Sequence, residues 1–474
     1  MLQIPEYKSA EKVFFFFEEI TKIPRGSGNT AKIADYLVDF ANRRSLEVIR
    51  DDADNVIIKK GATEGYKKRP TVILQGHTDI VAVKTQKSKV DLKKDGLQIY
   101  RDGDFIRATG TSLGGDDGVA VAYALAILDS DDIAHPAIEA VFTTDEEVGL
   151  TGAKALDGKN LSGKLLINID SDEEGVFTVG CAGGLKTDVR LQLSRHKIGH
   201  SCADLSLSGF IGGHSGVEID KGRINAIKVL GEILSQISHP CIASISGGSA
   251  DNAIPGEAKC RFYSDDMNDA DIEDKIKEVI AKYTDAEPGI KFEYKAKAAF
   301  AEAFSSEDSK KLISLICEMP NGVVAMSEDI KGLVETSLNM GIIKSDDDGV
   351  TIILSLRSSK SQSKNELKEK VFKIARKYDG VCGESGEYPA WEYRKQSHLR
   401  DVMCSVYKEK YGKDATVITT HAGLECGIFT EKIDDLDCVS IGPDNFDIHT
   451  TNEHLSISST VRVWEFLKDV IKAI

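Results

Sequence analysis

The chain has 474 residues, 41% hydrophobic and 29% charged, the balance of a soluble globular protein long enough for more than one domain. Its net charge of −16 argues against nucleic acid or an anionic membrane surface as a partner. Nine cysteines with no CxxC pair read as reduced thiols, which predicts a cytoplasmic protein.

Residues 1–45 read as helical. Phe14 to Phe17 is too short, and with Glu18 and Glu19 too acidic on its flank, for a signal peptide or a membrane span. An amphipathic helix over Ala10–Thr21 with its phenylalanines turned inward is predicted instead. Pro24-Arg25-Gly26-Ser27-Gly28 breaks it, and Asn29 or Thr30 caps a second helix running to about Phe40. Leu46–Ile49 and Val56–Ile58 read as strands about a DDADN turn.

Thr71 to Asp79, TVILQGHTD, reads as a short buried strand that delivers His77 and Asp79 at its carboxyl end. Open α/β sheets meet ligands at that end, and a carboxylate beside an imidazole suits a metal ligand. Alone, the fragment reads more readily as a polar strand end at the surface; acids at the ends of later strands reverse that balance. After a lysine-rich loop (82–97), Thr109–Gly118 crowds small residues before Asp116 and Asp117, at the start of the helix VAVAYALAILDS. Pro136–Thr143 is a second such strand, ending in Asp145-Glu146-Glu147, and Leu165–Ile169 a third, ending at Asp170. Acids at successive strand ends are not expected from random placement, and strands alternating with helices predict an α/β sheet.

From about Gly183 the pattern becomes α+β. Strand-like runs (LKTDVRLQL, CADLSLSGF, Leu333–Met340, Val350–Leu356) alternate with helical ones (Asn225–Ile237, Ser306–Glu318, Lys364–Lys377). After Tyr388-Pro389 the α/β texture returns, with a helix over His398–Tyr411, strands at Thr416–Thr419 and Cys438–Ile441, and a final helix. The predicted fold is thus α/β. A catalytic domain (1–183 and 389–474), with a mixed, mostly parallel sheet between helices, carries an inserted α+β domain (184–388) with an antiparallel sheet.

His77, Asp116, Glu147, Asp170 and His449 are the candidate metal ligands, two imidazoles and three carboxylates. That donor set suits two divalent ions, zinc first and cobalt or manganese as alternatives. With one carboxylate shared, each ion has three protein ligands and room for a bridging water, the nucleophile of two-metal hydrolases. Glu146, pointing away from its neighbour Glu147, is the candidate proton carrier, and Asp79 the carboxylate that orients His77.

HTD after an apolar strand, GDDG before a small-residue helix, TTDEEVG and INIDSDEEG together resemble the two-zinc exopeptidases, the family of aminoacylases, succinyl-diaminopimelate desuccinylase and bacterial carboxypeptidases. Its aminoacyl-histidine dipeptidase branch gives the fullest match, through IPRGSGN, LQGHTDIV, GTSLGGDDGVA, GGHSG, DNAIP, LSLRSS and HAGLECGIF. The resemblance implies that Asp116 bridges the ions, with His77 and Asp170 on one and Glu147 and His449 on the other. It implies Glu146 as general base and Asp79 as orienting carboxylate. It also implies a lid built from the inserted block, which carries a homodimer contact, with His214 aiding the oxyanion. Asn252, Arg357 and the backbone near Gly423 would hold the substrate. The activity implied is hydrolysis of unblocked dipeptides, Xaa-His (β-alanyl-histidine among them) in range. The alternatives are the same chemistry on tripeptides or N-acyl amino acids, and an inactive metal-binding protein. Asp117, Asp172, Glu173 and Glu174 are second choices as ligands. His421, His454 and Glu425 stay open between lining the pocket and structural hydrogen bonding. His135, His196, His200, His239 and His398 are read as ordinary.

Overall fold

The computed structural model describes residues 4–197, 202–264, 266–298 and 302–474. The chain forms two compact units. The first runs to Cys181 and resumes over Tyr393–Thr419 and Leu424–Ile474; the second comprises Ala182–Glu392 and Thr420–Gly423.

The first unit is built on an eight-stranded sheet. Its strand order is Glu47–Arg50, Val56–Lys60, Ile138–Thr143, Val72–His77, Leu165–Asn168, Asp437–Ser440, Val176–Cys181 and Thr416–Thr420. The strands over 138–143, 72–77, 165–168 and 437–440 run parallel, each to the next, and the strand at 56–60 is antiparallel to its neighbour. The parallel strands are buried along their whole length, as expected where helices cover both faces of a sheet. Register fixes the site: His77 lies beside Thr143 and Gln75 beside Asn168, so all three chains leave the sheet at one edge. The helix Gly115–Leu128 is buried on nearly every side, which its run of alanines, valines and leucines permits.

One expectation needs correcting. Within the helix Glu11–Thr21, Phe14, Phe16 and Phe17 are buried but Phe15 is half exposed. Successive residues on a helix are about 100° apart, so four in a row cannot share one face. The stretch after the lysine-rich loop is a hairpin, Ile99–Asp102 with Phe105–Ala108, which pairs through 105–107 with His454–Ser456.

The second unit is an antiparallel sheet. Its order is Lys291–Ala298, Cys202–Ser208, Ala258–Tyr263, Cys241–Gly247, Val334–Asp346, Gly349–Ser358, Gly183–Gln192 and Val381–Tyr388, with Gly322–Met326 added against Val334–Asp346. Ala226–Ser235, Asp269–Ala281, Ser306–Glu318 and Ser361–Lys377 contribute the helical side of one apolar core. Asn225 caps the first of these helices, accepting the backbone N–H groups of Ile227 and Lys228.

Candidate metal centre and active site

The strand Val72–His77 ends in a glycine and a histidine for a steric reason. A Cβ on Gly76 would lie 2.4 Å from Ala120 Cβ and 2.5 Å from Asp117 Oδ2, so the start of the helix at Gly115 can approach the strand only if it is bare there. Asp117 uses that approach to accept the His77 backbone N–H at 3.1 Å. His77 Nδ1 lies 3.0 Å from the carbonyl oxygen of Asp79. A carbonyl only accepts, so Nδ1 carries a proton and Nε2 is the ring atom turned toward the acids.

Asp79 is the hinge of the site. Its carboxylate lies 3.5 Å from His77 Nδ1 and accepts Ser27 Oγ at 2.8 Å and the backbone N–H groups of Glu146 and Glu147 at 3.1 and 3.4 Å. One buried group thus ties the turn after His77 to the loop that carries both glutamates. Burial opposes its charge, but His77 and these donors hold its pKa below the ordinary carboxylate range.

Asp116 stands between two imidazoles: Oδ1 is 3.0 Å from His77 Nε2, and Oδ2 is 3.1 Å from His449 Nε2. Asp170 Oδ1 lies 3.5 Å from His77 Nε2. Glu147 Oε1 is buried and lies 2.8 Å from His449 Nε2. Ligand-atom geometry gives three sets able to hold an ion: His77 with Asp116 and Asp170, Asp116 with Glu147 and His449, and His77 with Glu146 and Glu147. The first two use every candidate ligand and share Asp116.

Electrostatics also fits cations. Burial disfavours charge on His77, but Asp116 and Asp170 overcome it and hold the ring well above its usual range. His449, hydrogen-bonded to Asp116 and close to Glu147, is pushed up to about 10. Burial raises Asp170 to about 6 and Asp172 to about 8, with neighbouring carboxylates adding to it. Burial also raises Glu146 well above its normal value, among Asp170, Glu425 and Glu147. A cluster that gathers protons in this way is one whose negative charge divalent ions neutralise. The donor set, imidazole nitrogens and carboxylate oxygens within reach of one another, fits such ions.

Two supporting groups carry no signal in sequence spacing. Glu453 accepts four backbone N–H groups with its two oxygens, from Leu113 at 2.7 Å, Gly114 and Gly115 at 2.8 Å and Asp116 at 3.3 Å, and so cradles the loop that presents Asp116. Arg25, fully buried, donates to the carbonyls of Thr78 at 2.8 Å and Gly114 at 2.7 Å, clamping the same loop to the His77 turn. Glu425 lies in the buried core, accepting Gln75 Nε2 at 2.5 Å and Thr143 Oγ1 at 2.7 Å, and burial lifts it to about 7. His454 stacks on Phe446.

The candidate substrate residues belong to the second unit. His214 pairs with Ala253 in a short two-stranded ribbon that follows Asn252, itself exposed. Its Nδ1 accepts the N–H groups of Gly216 at 3.1 Å and Val217 at 3.3 Å, so the ring's proton sits on Nε2. Burial, with the charge of Arg357 second, lowers its pKa and keeps it neutral. Arg357 on the strand Gly349–Ser358 donates through Nη1 to Tyr388 Oη at 2.9 Å and to the His421 carbonyl at 3.4 Å. Gly423 lies against the Tyr388 ring. His421 is buried, with Nε2 2.8 Å from Ser337 Oγ. Of the histidines read as ordinary, His200 lies outside the described residues.

Comparison with known proteins decides the family. The model of peptidase family M20/M25/M40 matches residues 73–473. The chain belongs to this family. It is 33% identical over 479 residues to the cytosol non-specific dipeptidase of Escherichia coli, covering 98% of each chain. The crystal structure of aminoacylhistidine dipeptidase from Vibrio alginolyticus superposes with a TM-score of 0.92 at 33% identity, over 98% of this chain and 97% of that one. A Staphylococcus aureus tripeptidase matches at a TM-score of 0.55 and 18% identity, over 98% of each chain, and shows the shared fold alone. The mixed, mostly parallel sheet with a separate antiparallel one accords with the predicted fold class. No helix among the described residues is long and apolar enough to cross a membrane.

Proposed function

We propose that this M20-family peptidase hydrolyses unblocked dipeptides in the cytosol, Xaa-His dipeptides included. The observation that carries the reading is a pair of three-ligand sets sharing Asp116, with the buried carboxyl of Glu146 beside them. Near-complete coverage at 33% identity by two dipeptidases supports the substrate class.

His77, Asp116 and Asp170 would hold one divalent ion and Asp116, Glu147 and His449 the other, zinc first and cobalt or manganese next. Bound there, such ions supply Lewis acidity toward the scissile carbonyl and acidify a water. Everything else falls to the protein. Glu146 takes the proton of the attacking water and passes it to the departing amine. Its burial among acids raises its proton affinity, as suits a group that takes a proton. Asp79 fixes both the His77 ring and the backbone from which Glu146 projects. His214, neutral and protonated on Nε2, donates to the oxyanion. Arg357 binds the substrate carboxylate side-on, with Asn252 and the Gly423 backbone holding the peptide.

The second unit, or the inserted block 184–388, serves in this reading as lid and carries a homodimer contact. Exposed Val323, Val324 and Met326 on the strand Gly322–Met326 are consistent with such a contact. Nine cysteines that stay as free thiols accord with a cytosolic setting.

The test is to incubate zinc-loaded protein with free dipeptides, tripeptides and N-acetyl amino acids, alongside a chelator-treated control. Release of amino acids from dipeptides, alanyl-histidine among them, abolished by the chelator, is expected. Cleavage confined to tripeptides or acylated substrates would overturn the substrate class. No cleavage with metal bound would make the chain a binding protein.

A further inference from the structure

Tyr388 sits in a setting that the reaction as described leaves unexplained. It ends the strand Val381–Tyr388 opposite Gly184, and its ring fits only because two glycines make way for it. A Cβ on Gly184 would lie 2.4 Å from Cε1 of the ring, and one on Gly423 would lie 2.6 Å from Cε2. These glycines come from separate segments and meet opposite edges of the same ring. A ring wedged in this way cannot swing, and it carries its hydroxyl to one place, 2.9 Å from Arg357 Nη1.

The guanidinium is therefore held by one corner. Nη1 is used by Tyr388 Oη and by the His421 carbonyl, while Nε is buried without a partner. Nη2 makes no hydrogen bond among the described residues. The Nε–Nη2 edge is thus left without a protein acceptor, with its donors spaced to meet the two oxygens of a carboxylate. A buried donor left unpaired is costly, and a ligand that brings two acceptors removes that cost.

We propose that Tyr388 is a positioning residue for substrate recognition. Wedged between Gly184 and Gly423, it grips Nη1 of Arg357 so that the Nε–Nη2 edge receives the α-carboxylate of the peptide. The inference rests on the dipeptidase reading, in which Arg357 takes that carboxylate. It assigns Tyr388 to the selection of free-acid peptides over their C-terminal amides. It also gives Gly184 and Gly423 a shared reason to be glycine.

The experiment compares alanyl-histidine with alanyl-histidinamide on the zinc-loaded enzyme, taking the amide as a competitive inhibitor if it is not turned over. Tyr388→Phe removes the hydroxyl and keeps the ring. It should raise KM for the free acid about ten-fold, the scale of one hydrogen bond to a charged group, with kcat within about two-fold. The KM or Ki of the amide should not move. Gly184→Ala, which pushes on the ring from elsewhere, should reproduce the same acid-over-amide loss. In an Arg357→Ala background, Tyr388→Phe should add nothing. Equal weakening toward acid and amide, no weakening at all, or an undiminished effect without Arg357 would each overturn the proposal. A wild-type enzyme that cleaves no dipeptide would instead sink the reading beneath it, before any variant is made.

Discussion

Glu453 is assigned neither substrate nor ion, yet four backbone N–H groups of the Asp116 loop end on its carboxylate. Glu453→Gln keeps one acceptor oxygen but sets an NH2 group, which cannot accept, against two of those donors. The expected result is a Kd for zinc about 10- to 100-fold weaker, as for other groups that orient ligands. Competition against a chromogenic chelator measures it, and wild-type affinity would mean the loop is held by other groups. His421 supplies a test in pH. Burial first, then the charge of Arg357, lowers its pKa from 6.5 to about 4. The folded protein therefore binds fewer protons than the unfolded chain between pH 4 and 6.5, and its stability falls as the pH drops through that window. His421→Gln should flatten the fall, by up to about 3 kcal/mol on the scale of about 1.36 kcal/mol per unit. Urea unfolding of both proteins at about pH 4.5 and about pH 7, on either side of most of that window, reads the difference. Parallel losses would contradict it.

Among the elements, the parallel strands were readable because a buried strand is a short apolar run, and each of three ends in a polar cluster. That signal marked His77, Glu146, Glu147 and Asp170 as strand-end candidates, and the structure brings them together. The helices over Ser306–Glu318 and His398–Tyr411 match their predicted spans, since each has an acceptor residue to cap it, Ser305 and Ser397. The hairpin over 99–108 was not readable: IYRD and FIRA are only four residues each and partly exposed, too short for an alternation to stand out. Glu453 and Arg25 were missed for another reason. Their work is to satisfy backbone groups of a distant loop, which leaves no periodicity or spacing in the chain. Gly76 belongs to this scale too. Gly76→Ala places a methyl 2.4 Å from Ala120 Cβ, so strand and helix must part. An overpacking loss of about 1–3 kcal/mol is expected by denaturant titration, together with weakened zinc binding. An alanine variant as stable as the parent would show that this interface gives way freely.

For the whole molecule, the central electrostatic fact is a buried cluster of acids in a chain of net charge −16. Cations bound only by the folded state stabilise it by mass action, about 2.7 kcal/mol at a hundred times Kd. Zinc added to chelator-stripped protein should therefore raise Tm, and renewed chelation should lower it; a Tm indifferent to zinc would contradict a resident metal centre. The reaction itself turns on one proton carrier beside that centre. The most direct measurement is turnover of alanyl-histidine by Glu146→Gln, with zinc content determined on the same sample. Unchanged metal content is expected, with kcat lower by about 10²- to 10⁴-fold, the usual contribution of a positioned general base. Metal bound as in the parent with turnover retained would contradict the role given to Glu146.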